Sequence, residues 1–387
     1  MISVSRLLCD AAGLGDNLRY GGQIYAGDRQ PPIIVWNCTT KCNLRCVHCY
    51  SSASNQDPVG TLNTKEAKSF IRDLADFGVP VILFSGGEPL LRNDIFELAD
   101  FAGKEGLMTV LSSNGTLITQ EVAKRIRDVG FAEVGISLDG IGDKNDQFRG
   151  EKGAYQAALQ GIRNCTALEL RISLRLTITR STYTEIPAIF DLVEREEIER
   201  LCFYHLVYAG RGSQLRTDDL VHSQTRKVVD LICDRTTDLY QRGLPKEVLT
   251  VDNHADGVYL YLKLKRQDPT RAQKALALLR ANGGNNSGIR IGAVDASGDV
   301  HADQFWQHYS FGNVRQRKFG DIWLDTSDPL MHGLKDRKKL LKGRCARCRY
   351  LDLCNGNLRV RAETVFGDVW AEDPACYLTD GEIELVK

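Results

Sequence analysis

The chain lacks an excess of charge of either sign: Lys plus Arg number 50 and Asp plus Glu number 50. No global field draws it onto nucleic acid or an anionic membrane surface, so partners must be selected locally. It also lacks any apolar run near the ~20 residues that a bilayer crossing requires. The opening stretch MISVSRLLCDAAGLGD has neither the apolar core nor the cleavage region of a secretory signal. No internal repeat or low-complexity segment is visible. These absences predict a cytoplasmic protein with no nucleic-acid partner and no membrane span. What remains is an ordinary globular composition, 43% hydrophobic and 26% charged. Its 387 residues suffice for one large domain with an appendage, or for two domains.

Cysteine, by contrast, is plentiful, with 12 residues. A reducing compartment keeps thiols free, so the clustering points to metal rather than to a disulfide framework. Cys42, Cys46 and Cys49 form one group, and Cys345, Cys348, Cys354 and Cys376 form another. Cys9, Cys38, Cys165, Cys202 and Cys233 stand apart and read as buried thiols.

Short β-rich runs at 33–36, 79–84, 107–111, 133–138, 170–179 and 200–207 alternate with helical patterns. The helices include 64–77, opened by Asn63 or Thr64, and 120–129, closed by Gly130. Alternating βα units predict an α/β fold with a parallel sheet. Six units fit a partial (β/α)6 TIM-like barrel, with its site at the strand C-terminal ends. We expect an N-terminal extension over 1–30, the barrel over 31–212, and a helical connecting segment over 213–286 with a strand or turn near VDNHADGVYLYL. NGGNNSG at 282–288 reads as a linker to a cysteine-rich domain over 287–387, which starts with the hairpin-like IGAVDASGDV.

The first cysteine group, CNLRCVHC, directly follows the first strand. Three thiolates ligate only three irons of a cubane [4Fe-4S] cluster, leaving one iron open to a small molecule. Structural zinc is the alternative, but it normally takes four closed ligands, and His48 within the motif is poorly placed to be one. SGGEP follows the second strand, where Gly86 and Gly87 permit close backbone approach to a ligand and Glu88 offers a carboxylate. SSNGT and SLDG end the third and fourth strands, and their polar side chains suit ribose and carboxylate contacts. In the second cysteine group, C-x2-C-x5-C-x21-C, four thiolates close a site fully, so structural zinc or a further iron–sulfur cluster fits the spacing equally.

CNLRCVHC followed by Tyr50 resembles the signature of the radical S-adenosylmethionine enzymes. The resemblance implies that the open iron chelates the methionine amino and carboxylate groups, and that cleavage yields a 5′-deoxyadenosyl radical. It assigns the cosubstrate to the Gly86, Gly87 and Glu88 segment, to Asn114, Ser137 and Asp139, and to Arg149 near the carboxylate. The tail resembles the SPASM extension, which makes an auxiliary [4Fe-4S] cluster the expected occupant of Cys345, Cys348, Cys354 and Cys376. Full SPASM domains hold two auxiliary clusters, but Asp303 and Leu358 stand where further cysteines belong, so one is expected. Asp303 itself reads as a solvated loop carboxylate.

DNLRY, IVWNC, YHLVYAGRG, VDNHADG and ADQFWQHYSFGNV resemble the tetrapyrrole-modifying branch of alternative haem and haem d1 synthesis. Within it the likeness is to the group removing two acetate side chains from 12,18-didecarboxysirohaem to give Fe-coproporphyrin. A sister group removes propionates, and a SPASM peptide maturase is the rival class. An iron tetrapyrrole carries carboxylates around an apolar plane, which guanidinium groups and aromatic rings suit. Arg19, Arg211, Arg290, Tyr20, Tyr204, Trp306 and Tyr309 are candidates for this, with Arg211 favoured. His205, His254 and His308 are candidate axial ligands, with His254 favoured. The resemblance also implies a reducing donor such as flavodoxin or ferredoxin.

Overall fold

The computed structural model describes residues 1–13, 15–21, 31–56 and 59–383. Parts of the expected N-terminal extension therefore lie outside the described residues. The six expected strands are present as β2 (Ile33–Thr39), β3 (Val81–Gly86), β4 (Met108–Ser113), β5 (Glu133–Ser137), β6 (Ile172–Ile178) and β7 (Arg200–His205). They lie side by side in chain order, all parallel. Burial on both faces explains their near-continuous apolar runs. The predicted helices appear as Thr64–Phe77 and Gln120–Asp128. The first is held by a reciprocal cap: the Asn63 carbonyl oxygen accepts from Glu66 N at 3.0 Å, and the Glu66 carboxylate accepts from Asn63 N at 2.9 Å.

The sheet is wider than expected. Strand β8 (Glu247–Val251) joins β7 in parallel, and β9 (Ile291–Val294) joins β2 in parallel. The antiparallel strands β1 (Ile2–Ser3) and β10 (Val300–His301) form the two edges. The result is an open, partial barrel of α/β type, and its sheet crosses each expected domain boundary. The extension supplies β1, the connecting segment supplies β8, and the hairpin β9–β10 begins the cysteine-rich part. VYLYL is helical, within Ala255–Gln267. Val258, Tyr259 and Leu260 are buried and Tyr261 and Leu262 half-buried, so burial follows consecutive rather than alternate positions, and the apolar run is a helix instead of a strand.

NGGNNSG is not a solvated linker. Asn285 is buried, its amide N donates to Cys354 O at 3.0 Å, and its side-chain carbonyl accepts from Arg337 at 2.5 Å. Gly283, Gly284 and Gly288 take positive φ angles, so the segment turns tightly and stitches the barrel to the tail. Asp303, expected in solvent, is buried as well: it accepts from the hydroxyl of Ser287 and from Phe305 N at 2.8 Å. Leu358 is likewise buried.

Candidate active site

Cys42, Cys46 and Cys49 sit together in the loop after β2, Cys42 and Cys46 buried and Cys49 half-buried. N–H and O–H donors point at their sulfurs: Leu44 N lies 3.4 Å from Cys42 Sγ, the Ser51 hydroxyl 3.3 Å from Cys49 Sγ, and Arg149 Nη1 3.7 Å from Cys46 Sγ. Burial, and then the neighbouring charges, push the Cys42 thiol up to about 12, and burial also raises Cys46. Thiolates in such a place need compensating metal charge, and donors aimed at sulfur suit an anionic iron–sulfur group. Among the described residues no three His, Cys, Asp or Glu side chains lie close enough together to hold a single metal ion. A four-iron cluster is a larger body, and the donor set fits one.

The glycines of SGGEP serve this loop. A Cβ on Gly86 would lie 2.3 Å from Thr39 O, and one on Gly87 would lie 2.2 Å from Lys41 O. Their close approach is therefore to the β2 end and the start of the cysteine loop, not to a free ligand surface. Glu88 is fully buried, with its carboxylate accepting from Ser113 Oγ at 2.9 Å, Asn114 N at 2.8 Å and Leu90 N at 3.2 Å. Burial raises it to about 7 despite those donors. It acts as a staple between two strand ends, not as a free carboxylate. The Asn114 side chain bonds Asn43 and Thr116.

Asp139 pairs with Arg149 Nη2 at 2.5 Å and accepts from Thr177 N at 2.7 Å. His48 stacks on Phe148, with ring centroids 4.6 Å apart, and burial lowers it to about 4, so it is neutral. Arg149 and Ser137 open onto a cavity at the C-terminal ends of the strands. It holds about 830 Å³ up to its solvent opening, and its lining includes Tyr50, Ser85, Arg175, Tyr204, His205, Asp252 and Phe305.

The structure places several expected substrate residues elsewhere. Arg211 donates from Nε to Cys46 O and from Nη1 to Ala53 O, both at 2.8 Å, and its amide N reaches Cys49 O at 2.9 Å. It clamps the cysteine loop. Arg19 is bound to Asp16 at 2.7 Å and Glu247 at 2.6 Å, at the opposite end of the strands. Arg290 and His254 line a separate cavity there with Arg19, and His254 Nε2 lies 3.0 Å from the Met1 amino group. Trp306 is fully buried, its ring stacked on His308, and Tyr309 is half-buried, its hydroxyl donating to Asp328 at 2.7 Å. Tyr20 is buried against Ser3, and His308 is exposed and paired with Glu363. Tyr204 and His205 do reach the cavity, and His205 Nε2 lies 2.8 Å from Asp256.

Sequence reasoning missed Arg175 and Asp252. Asp252 holds a positive φ of 65° at the end of β8, a strained placement for a non-glycine residue at a cavity wall. That signal is conformational, and VDNHADG, the segment that contains Asp252, does not disclose it.

Cys345, Cys348, Cys354 and Cys376 line one small cavity with Ala255, Val258 and Leu378. Burial and the charges of the other three push Cys354 well above the ordinary thiol range.

Comparison with known proteins gives the family of the chain. The radical SAM superfamily pattern matches residues 36–193. The Fe-coproporphyrin III synthase of Methanosarcina barkeri is 54% identical, over 99% of this chain and 99% of its own. The pre-heme d1 synthase of Dinoroseobacter shibae is 42% identical, over 91% of this chain and 87% of its own. Streptococcus suis SuiB bound to its precursor peptide shares the fold, with a TM-score of 0.72 at 17% identity over 90% of this chain and 76% of its own. No helix among the described residues is long and apolar enough to cross a membrane. The chain is an enzyme that belongs to the radical S-adenosylmethionine superfamily, whose members hold a [4Fe-4S] cluster and S-adenosylmethionine.

Proposed function

We propose that the enzyme removes the two acetate side chains of 12,18-didecarboxysirohaem to give Fe-coproporphyrin III. The observation that carries the reading is the junction of the cysteine loop with the strand-end cavity, in a chain alike over its full length to an Fe-coproporphyrin III synthase. When bound, the cluster on Cys42, Cys46 and Cys49 and the cosubstrate supply a hydrogen-abstracting radical.

The chain's own residues then position and enclose. Arg149 presents charge beside Cys46, where it suits the cosubstrate carboxylate, while Asp139 orients it. Ser137 offers a hydroxyl to the same space. The Gly87 carbonyl is the part of its segment left for the methionine amino group, because Glu88 is fully engaged, Gly87 N donates to Thr39 O and Gly86 O accepts from Ser51. Asn114 supports the loop through Asn43. Cys345, Cys348, Cys354 and Cys376 would hold one auxiliary [4Fe-4S] cluster, since all four face a single cavity. A reduced flavodoxin or ferredoxin is the expected electron donor.

The test is anaerobic incubation of reconstituted enzyme with reductant, S-adenosylmethionine and didecarboxysirohaem, followed by product mass. Loss of both acetate side chains is expected. Loss of propionates would transfer the enzyme to the pre-heme d1 type, and an unchanged macrocycle would overturn the tetrapyrrole reading.

A further inference from the structure

We propose that Arg175 is the receptor for one carboxylate arm of the substrate, deep in the barrel cavity. This rests on the tetrapyrrole reading above and names a specificity-determining residue for it. Arg175 projects from β6 into the cavity, where its Nη1 donates to Ser112 Oγ at 2.7 Å. Its Nε is buried without a partner, and no carboxylate among the described residues pairs with it. The nearest acidic group beneath, Glu133, is taken by Arg200 and by Arg171. Arg149, the other guanidinium lining this cavity, faces Cys46, where the reading above gives it to the cosubstrate.

A half-buried guanidinium with its Nε–H buried and unpaired and no carboxylate beside it favours a ligand that completes it. Gly135 leaves room for it there: a Cβ would lie 2.1 Å from the guanidinium carbon and displace the group. Ser137 and Tyr204, on the strands that flank β6, line the cavity with Arg175, and Val35 and Leu83, on β2 and β3, add apolar lining. Phe305 and Tyr50, with ring centroids 5.4 Å apart, add aromatic surface to the cavity. An apolar plane with a flexible carboxylate arm matches this distribution: plane against the apolar surfaces, arm to Arg175. Guanidinium and carboxylate then meet through two parallel N–H···O bonds, which an ammonium cannot reproduce.

The experiment measures binding of Fe-coproporphyrin III and, separately, of S-adenosylmethionine to the cluster-loaded protein without reductant. Wild type is compared with Arg175→Gln and Arg175→Lys. Arg175→Gln is expected to weaken the porphyrin by about 10- to 100-fold, with Arg175→Lys in between and cosubstrate affinity unchanged. Equal porphyrin affinity in wild type and Arg175→Gln would overturn the inference and leave the function standing. A loss confined to S-adenosylmethionine would overturn it too, by assigning Arg175 to the cosubstrate. Failure of wild type to bind the porphyrin would instead sink the tetrapyrrole reading. Should Arg175→Gln not fold, Arg175→Lys decides: porphyrin affinity equal to wild type would refute a role for the planar fork.

Discussion

Arg211 shows how a residue in a recognisable motif can take a role its sequence does not reveal. Its guanidinium and amide hold three carbonyls of the cysteine loop. Arg211→Ala should therefore lower iron content and cost at least ~2 kcal/mol of stability, measured by iron per chain and urea unfolding, rather than weaken substrate alone. Glu88 makes a pH prediction. Its folded carboxyl holds a proton up to about 7, above the ordinary 4.5. The stability it contributes is thus fully present below the unfolded value and is lost as pH rises through about 7. The loss amounts to about 3 kcal/mol. Urea midpoints between those pH values should fall in wild type and flatten in Glu88→Gln. That the cysteines gather in two groups was legible because their spacing is local. Arg175 and Gly135 were not, since they meet only through the register that sets Ser137 opposite Arg175.

Among the elements, the helices at 64–77 and 120–129 and the six central strands were legible, because capping and apolar runs are local signals. Strand β8 was not, for it is short and its burial comes from neighbours far away in the chain; the β9–β10 hairpin was expected at IGAVDASGDV, but the parallel pairing of β9 with β2 was not. The joint between barrel and tail rests on the helix Arg359–Phe366. Its Arg361 is fully buried, pairs with Asp373 at 2.9 Å, and donates to Leu206 O and Asp252 O at 2.8 Å each. Arg361→Met would leave a buried, unpaired carboxylate and should cost about 3–5 kcal/mol. Thermal unfolding should show the drop, with Asp252 displaced from the cavity wall.

At the scale of the molecule, one open sheet carries both cysteine groups: the first follows β2, and the second lies in the tail that the β9–β10 hairpin leads into. The division into extension, barrel, connector and tail follows composition, whereas the sheet follows pairing, and pairing runs through all four. The whole account depends on one four-iron cluster that leaves an iron open to S-adenosylmethionine. The measurement that tests it most directly is low-temperature EPR of the reduced, reconstituted Cys345→Ala/Cys348→Ala variant, in which the first cysteine group alone is intact. The account predicts one [4Fe-4S] signal that shifts when S-adenosylmethionine is added. A signal indifferent to S-adenosylmethionine, or zinc bound in place of iron, would contradict it.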